Sequence, residues 1–213
     1  MYSSQQSLFM KNLLSRTFPL PWLLLTLLAI ALLTVLGPAE KALGSHVRVV
    51  YLHGAWVWAS LTAFAAAGLL GLAGLLSQRE SLYVWSCALG RTGLIFWITY
   101  LPLSLWAMQA NWNGLFLAEP RWRLALAFAA GGLLLQVGLT LAGKPAWTAA
   151  GNLFFSILLL YSVAVVQNIM HPGSPIFSSE ARLIQLYFIG LFFLTLSAAW
   201  WVATWFKSKS CST

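Results

Sequence analysis

The sequence is poor in the side chains that most hydrolases and metal sites use. It has no aspartate, four glutamates that lie far apart, three histidines and two cysteines. A triad of nucleophile, histidine and carboxylate is therefore not predicted. Cys87 lies in an apolar segment and Cys211 in the C-terminal tail. Neither a disulfide framework nor a CxxC redox site is predicted, and we expect both cysteines to be free thiols.

Charged residues are scarce as well, at 8% of the chain, whereas 60% of the residues are hydrophobic and the mean hydropathy is +0.81. A soluble domain of this size could not bury so much apolar surface. Six apolar stretches are long enough for a membrane-spanning helix, which needs about 20 residues. They are 18–36, 50–76, 82–108, 123–142, 146–167 and 182–206. The sequence thus predicts an all-α integral membrane protein with about six transmembrane helices in one bundle, as a single transmembrane domain over residues 1–213.

The net charge of +8 is spread over loops and tails, which indicates membrane topology and not nucleic-acid binding. Lysine and arginine favour the cytoplasmic side of a membrane. With a cytoplasmic N-terminus, that side would carry Lys11, Arg16, Arg79, Lys144, Lys207 and Lys209, and the opposite side Lys41, Arg48, Arg121, Arg123 and Arg182. This small surplus predicts short cytoplasmic tails at both ends of the chain.

Three loops are long enough to hold a functional site, at residues 37–49, 109–122 and 168–181. Because they follow alternate helices, they are expected on the same, non-cytoplasmic face. His53 lies in the first turn of the second apolar run. His171 follows the fifth run in the segment NIMHPGSPIF, where two prolines and a glycine prevent a helix from continuing. The middle loop, NWNGLFLAEPRWR, mixes aromatic and charged residues.

Two histidines that approach one aromatic loop suit haem. Haem iron accepts an imidazole on each face, the macrocycle packs on aromatic rings, and the propionates pair with arginine. Zinc is less favoured, since a structural zinc site needs four ligands and only two or three candidates share this face. From the residues alone, ordinary interfacial histidines in an aromatic belt remain an alternative. His46 is expected to be a solvated loop residue.

Two of these segments resemble motifs of the haem-handling, CcmC-like family of cytochrome c assembly proteins. RVVYLHGAW, which begins at Arg48, resembles the family's RxMYxHVPxAW entry to a transmembrane helix. NIMHPGSPI resembles the family's NxLHQxxSI segment. The order of the motifs and the six-helix layout also agree with the family, so the resemblance covers about residues 48–200.

Between these segments the family carries a tryptophan-rich loop of the form WGxWWxWDxR, and WNGLFLAEPR aligns with it without a gap. Trp112 and Arg121 match, and Glu119 stands in place of the aspartate. The other three tryptophans are replaced by Leu115, Phe116 and Ala118. This loop therefore offers a macrocycle less aromatic surface than the family's loop does.

The resemblance implies a haem b at the outer, periplasmic face of the inner (cytoplasmic) membrane, with His53 and His171 as axial ligands of the iron. The other implied site residues are Arg48 and Arg121 for propionate or partner contacts, Trp112 and Phe116 for stacking, and Glu119 for ordering Arg121. Glu119 and Pro120 also match the N-cap and first turn of the fourth helix, and both interpretations stay open.

The resemblance further implies cytochrome c-type biogenesis without enzymatic turnover: haem binding, haem transport and cytochrome complex assembly. The chain would present or transfer haem to a membrane-tethered haem chaperone, together with other cytochrome c maturation components. One alternative is a haem-binding or haem-free subunit of a larger membrane electron-transfer complex. A small-molecule permease is less favoured, because Arg91, Gln136 and Asn152 are the only notable polar interruptions of the apolar runs.

Overall fold

The computed structural model describes residues 20–167, 176–177, 180–209 and 211. Helices account for 85% of these residues and no strand is found among them, which confirms the all-α prediction. The helices are α1 (Leu20–Leu36), α2 (Val47–Ser77), α3 (Glu80–Trp112), α4 (Pro120–Ala142), α5 (Pro145–Val165) and α6 (Arg182–Lys209). Helices α2 to α6 are long and apolar enough to cross a membrane, and α1 is an apolar helix of 17 residues. The chain is a multi-pass membrane protein built as one helical bundle.

Several helix ends follow from local sequence chemistry. Pro120 and Pro145 occupy the first turns of α4 and α5, where the missing N–H of proline costs no hydrogen bond. Helix α3 ends at Trp112, and the φ of 52° at the next residue, Asn113, lies in the left-handed region that often stops a helix. The apolar stretch 82–108 had predicted a shorter helix. The extra turn carries Trp112 to the end of the bundle.

Helices α2 and α3 form the central hairpin of the bundle. Helix α5 packs on both of them, and α4 lies against α3 and α5. On the other side, α6 packs on α2 and α3, and α1 lies mainly against α6. The residues between helices mark the two ends of the bundle. We call the end with residues 37–46, 113–119 and 176–177 the loop face, and the end with residues 78–79, 143–144 and Cys211 the tail face.

Small residues allow α2 to approach its neighbours closely. A Cβ atom on Gly71 would lie 2.7 Å from the carbonyl oxygen of Ala149, and one on Gly68 would lie 2.9 Å from the Cβ of Ser156. The same helix buries alanines at four-residue spacing, namely Ala55, Ala59, Ala63 and Ala67. Small residues at this spacing let membrane helices pack closely. Such packing matters in lipid, because moving an apolar side chain out of lipid gives no hydrophobic stabilisation.

The polar residues that interrupt the apolar runs are joined across helices. Gln136 Nε2 donates to Asn152 Oδ1 at 2.8 Å, and Asn152 Nδ2 donates to the carbonyl oxygen of Ser86 at 2.9 Å. Arg91 Nη2 donates to Thr140 Oγ1 at 3.0 Å. Together these bonds connect α3, α4 and α5, and Asn152 bonds to both Gln136 and Ser86.

We expect Asn152→Ala to lower the free energy of unfolding by about 1–3 kcal/mol, because hydrogen bonds between membrane helices average ~0.6 kcal/mol and reach ~1.7 kcal/mol each. The loss also leaves the amide of Gln136 without its acceptor. Reversible unfolding in mixed detergent micelles measures the change. Ser197→Ala is the matched control, since Ser197 Oγ donates to Phe193 of its own helix. Equal losses in both variants would contradict a role for the bonds between helices.

The expectation of two free thiols is wrong. Cys87 and Cys211 form a disulfide with their Cα atoms 5.9 Å apart. The N–H of Cys211 donates to the carbonyl of Phe206 at 3.1 Å, which turns the chain after α6 back toward α3. Lys207 Nζ also lies 4.3 Å from the ring centroid of Trp85 on α3. The cysteines are 124 residues apart in sequence, so only the packing of α6 on α3 brings them together.

A thiol assay tests this bond directly. In protein purified with a thiol-blocking reagent present, we expect neither cysteine to react with a maleimide until a reductant is added, and both to react afterwards. Intact mass spectrometry reports the labels. The double variant Cys87→Ser/Cys211→Ser should take up none under either condition. Labelling of the wild-type chain before reduction would overturn the disulfide.

Candidate functional site

A cavity of about 420 Å³ lies at the loop-face end of the bundle. Its walls come from α2, α3, α4, the end of α5, the start of α6 and residues 176–177. The polar side chains on it are His53, Tyr100, Ser104, Asn111, Glu119 and Arg121, and the aromatic ones include Trp58, Trp97, Trp112, Trp122, Phe177 and Phe188. A mainly apolar wall with a few polar groups, at this volume, is typical of sites for small molecules and cofactors.

Four of the seven residues selected from the sequence line this cavity, namely His53, Trp112, Glu119 and Arg121. They come from three helices and a loop, and the outermost two, His53 and Arg121, are 68 positions apart in sequence. Phe116 is half-buried and does not line the cavity. His171 lies outside the described residues. Ile176 and Phe177, which follow it in sequence, do line the cavity.

Arg48 has a different environment from the one that the motif suggested. Its Nε donates to the carbonyl oxygen of Gly37 at 2.8 Å, just beyond the end of α1. The hydroxyl of Tyr187 donates to the carbonyl of Leu33 at 2.8 Å. Both bonds satisfy carbonyl groups that the end of a helix leaves without intrahelical partners. Arg48 thus fastens α1 to α2, and it is not part of the cavity wall.

Glu119 has the position of a helix N-cap, but its side chain does not act as one. It occupies the N-cap position of α4, and Pro120 follows at the first helical position. Its side chain makes no capping hydrogen bond, is only 2% exposed, and lines the cavity. Glu119 and Tyr100 both lie close enough to Arg121 to interact with it electrostatically. The carboxylate therefore belongs to the site and not to the helix cap.

His53 stands on α2 beside Val50, Gly54 and Val57, which share the cavity wall with it. Trp56, three residues further along α2, packs on α3 instead. Its ring lies 4.8 Å from that of Phe96, centroid to centroid, and its Nε1 donates to Thr99 Oγ1 at 2.8 Å. His53 lies at the boundary between the α3-facing and the cavity-facing sides of α2.

Two aromatic residues that support His53 were missed from the sequence. The ring of Tyr100 lies 5.6 Å from the His53 imidazole, and Trp97 packs edge-on against Tyr100 at 4.9 Å, both measured between centroids. Trp97 Nε1 donates to the carbonyl oxygen of Ala125 on α4 at 3.0 Å. This series of contacts, from α4 through Trp97 to Tyr100, fixes one side of the imidazole. Trp97 and Tyr100 are three residues apart, a spacing that places them on one face of a helix. In a chain with 12 tryptophans and 6 tyrosines, however, this pair does not stand out.

The cavity residues Arg121 and Asn111 each bury a polar atom, Nε and Oδ1 respectively, that has no hydrogen-bond partner among the described residues. The Nδ2 of Asn111 donates to the carbonyls of Ala107 and His46, at 2.9 and 3.3 Å, which fixes its amide beside the cavity. Burying such groups without partners costs free energy. A ligand with a carboxylate would give the guanidinium of Arg121 an acceptor.

Comparison of the chain with protein-family models, with curated proteins and with solved structures finds no match. The chemistry of the cavity and the sequence motifs are therefore the basis for any functional proposal.

The support that Tyr100 gives to His53 can be tested without knowing the ligand. We expect Tyr100→Ala to raise the rate at which diethyl pyrocarbonate modifies His53 severalfold, because it removes the ring that covers one side of the imidazole. Tyr100→Phe keeps that ring and should leave the rate unchanged. Peptide mass spectrometry follows the reaction, and the exposed His46 is the internal reference. Equal His53 rates in all three proteins would contradict the arrangement.

Proposed function

We propose that this protein is a haem-binding membrane protein of cytochrome c biogenesis. Its cavity would hold a haem b, with His53 and His171 as axial ligands, and the protein would present or transfer that haem to a membrane-tethered haem chaperone. One observation carries the proposal: His53, Trp112 and Arg121, taken from two separate motif segments, line a single cavity.

The described residues fit a haem in size and in chemistry. A volume of about 420 Å³ is within the range of cofactor sites, and the aromatic wall matches the apolar body of a macrocycle. Arg121 has a buried donor for a propionate. When bound, haem supplies an iron that accepts imidazole ligands on both faces. Trp112 offers the stacking surface that remains of the tryptophan-rich loop.

The site residues have binding or positioning roles in this proposal. His53 supplies a neutral imidazole nitrogen, and Tyr100 restricts the orientation of its ring. Glu119 holds the guanidinium of Arg121 in place by electrostatic attraction. No side chain is assigned to a reaction, so turnover by this protein alone is not part of the proposal.

The proposed location is the inner (cytoplasmic) membrane, with the N-terminus in the cytoplasm and the loop face toward the periplasm. The surplus of lysine and arginine on the N-terminal side supports this orientation. The loop face would then place the cavity where apocytochromes c and their haem chaperone are found. Other cytochrome c maturation components are the expected partners, along with the lipid bilayer.

A haem assay on purified protein tests the proposal. We expect detergent-purified wild-type protein, expressed with added haem precursor, to carry stoichiometric haem b with a low-spin spectrum. His53→Ala and His171→Ala should each lose the haem or leave it high-spin, because one axial ligand is gone. His46→Ala is the matched control, since His46 is exposed and does not line the cavity. The pyridine haemochrome assay gives the haem content.

Wild-type protein without haem, or unchanged low-spin haem in both histidine variants, would overturn the proposal. Transfer to excess apomyoglobin then separates a carrier from a resident cytochrome. Release of haem on mixing is expected of a carrier. Retention of haem, together with rapid reduction by a quinol, would instead favour the subunit of an electron-transfer complex.

A further inference from the structure

The helix at the centre of the bundle is not fully covered by its neighbours. Helix α2 contacts α1, α3, α5 and α6, yet the Trp58 side chain is 48% exposed and Leu69, three turns further, is 67% exposed. The reason is a gap: within the described part of the chain, the backbones of α5 and α6 make no contact with each other. A strip of α2 therefore faces the surroundings between these two helices. In a membrane-spanning bundle, those surroundings are lipid.

The strip and the cavity share a residue. Trp58 is exposed in the gap and also lines the cavity, together with Val57 on the same helix and Val163 near the end of α5. The cavity wall thus continues into the gap. The helix rise of about 1.5 Å per residue places Trp58 roughly 16 Å along α2 from its first residue at the loop face, well within the apolar part of the helix.

The polarity of the wall changes along this depth. Asn111, Glu119 and Arg121 lie at the ends of α3 and α4 that form the loop face. Val57 and Trp58 lie deeper, and the deeper part of the wall carries hydroxyl groups but no charged side chain among the described residues. A ligand that matches both parts has a carboxylate at one end and an apolar body at the other. Such amphiphiles partition into a bilayer before they reach a protein, with the charged end at the headgroups.

We propose that the ligand of this cavity is a carboxylate-bearing amphiphile that enters sideways from the bilayer, through the gap between α5 and α6 beside Trp58. The identity of that ligand as haem rests on the proposed function, whereas the opening toward lipid does not. The carboxylate would remain near Arg121 and Asn111 while the apolar body slides past Val57 and Val163. The direction of entry follows from the gap, and the orientation follows from the polarity of the wall.

Spin labelling tests the opening without any ligand. A nitroxide on Trp58→Cys, in a Cys87→Ser/Cys211→Ser background reconstituted in liposomes, should collide with oxygen and not with a water-soluble nickel chelate. Its oxygen accessibility should match that of a label at the lipid-exposed reference Leu69→Cys. Continuous-wave power saturation measures both. Exclusion of both reagents from position 58, or access by the nickel chelate, would overturn the proposed opening.

Added haemin tests the occupant. Binding should reduce the oxygen accessibility at position 58 and leave position 69 unchanged. If haemin binds stoichiometrically but the label at position 58 does not respond, the route is wrong while the haem function stands. If haemin does not bind, the proposed function fails, and the ligand-free measurement still decides whether the gap opens to lipid.

A second variant keeps the test independent of the label. Val163→Trp narrows the gap from the α5 side, so it should lengthen the half-time of haemin uptake from liposomes. Leu141→Trp is the control, because Leu141 is exposed on α4 and does not line the cavity. Equal uptake rates in the two variants would contradict entry through the gap.

Discussion

The close approach of α2 to α3 and α5 is the contact on which the rest of the structure depends. Small side chains make it possible, since a Cβ at Gly71 would collide with the Ala149 carbonyl. Once the backbones are this close, Asn152 can reach Ser86 on α3 and bond to Gln136 on α4. The cavity lies at the loop-face ends of these helices.

The cavity is defined by rigid helices more than by its loop. Trp97 is fixed to α4 by a hydrogen bond and holds Tyr100, which in turn borders His53. The two arginines that the motifs singled out show why position in the fold matters. Arg48 donates to the carbonyl of Gly37 just beyond α1, whereas Arg121 lines the cavity. Residues of the same type near the same face thus fasten two helices together in one case and line the cavity in the other.

The disulfide and the basic residues bear on membrane orientation in opposite ways. Arg79, Lys144 and Lys207 lie at the tail face and favour a cytoplasmic location for it. The Cys87–Cys211 bond lies at the same face, and disulfides persist mainly in oxidising compartments. In the proposed orientation, this bond would meet a reducing thiol pool. The redox state of the two cysteines in cells therefore reports which compartment the tail face contacts.

The sequence by itself determined the class of the protein and most of its helices, because the length and apolarity of a membrane span are local properties. It also singled out His53, which lines the cavity, since a polar side chain is rare in such a chain and stands out. Only the tertiary structure decided which residues surround it. The Tyr100 contact with His53 and the Cys87–Cys211 bond depend on how helices rotate and cross. His53 and Tyr100 are 47 positions apart in sequence, and the two cysteines are 124 positions apart, so no local pattern encodes either contact.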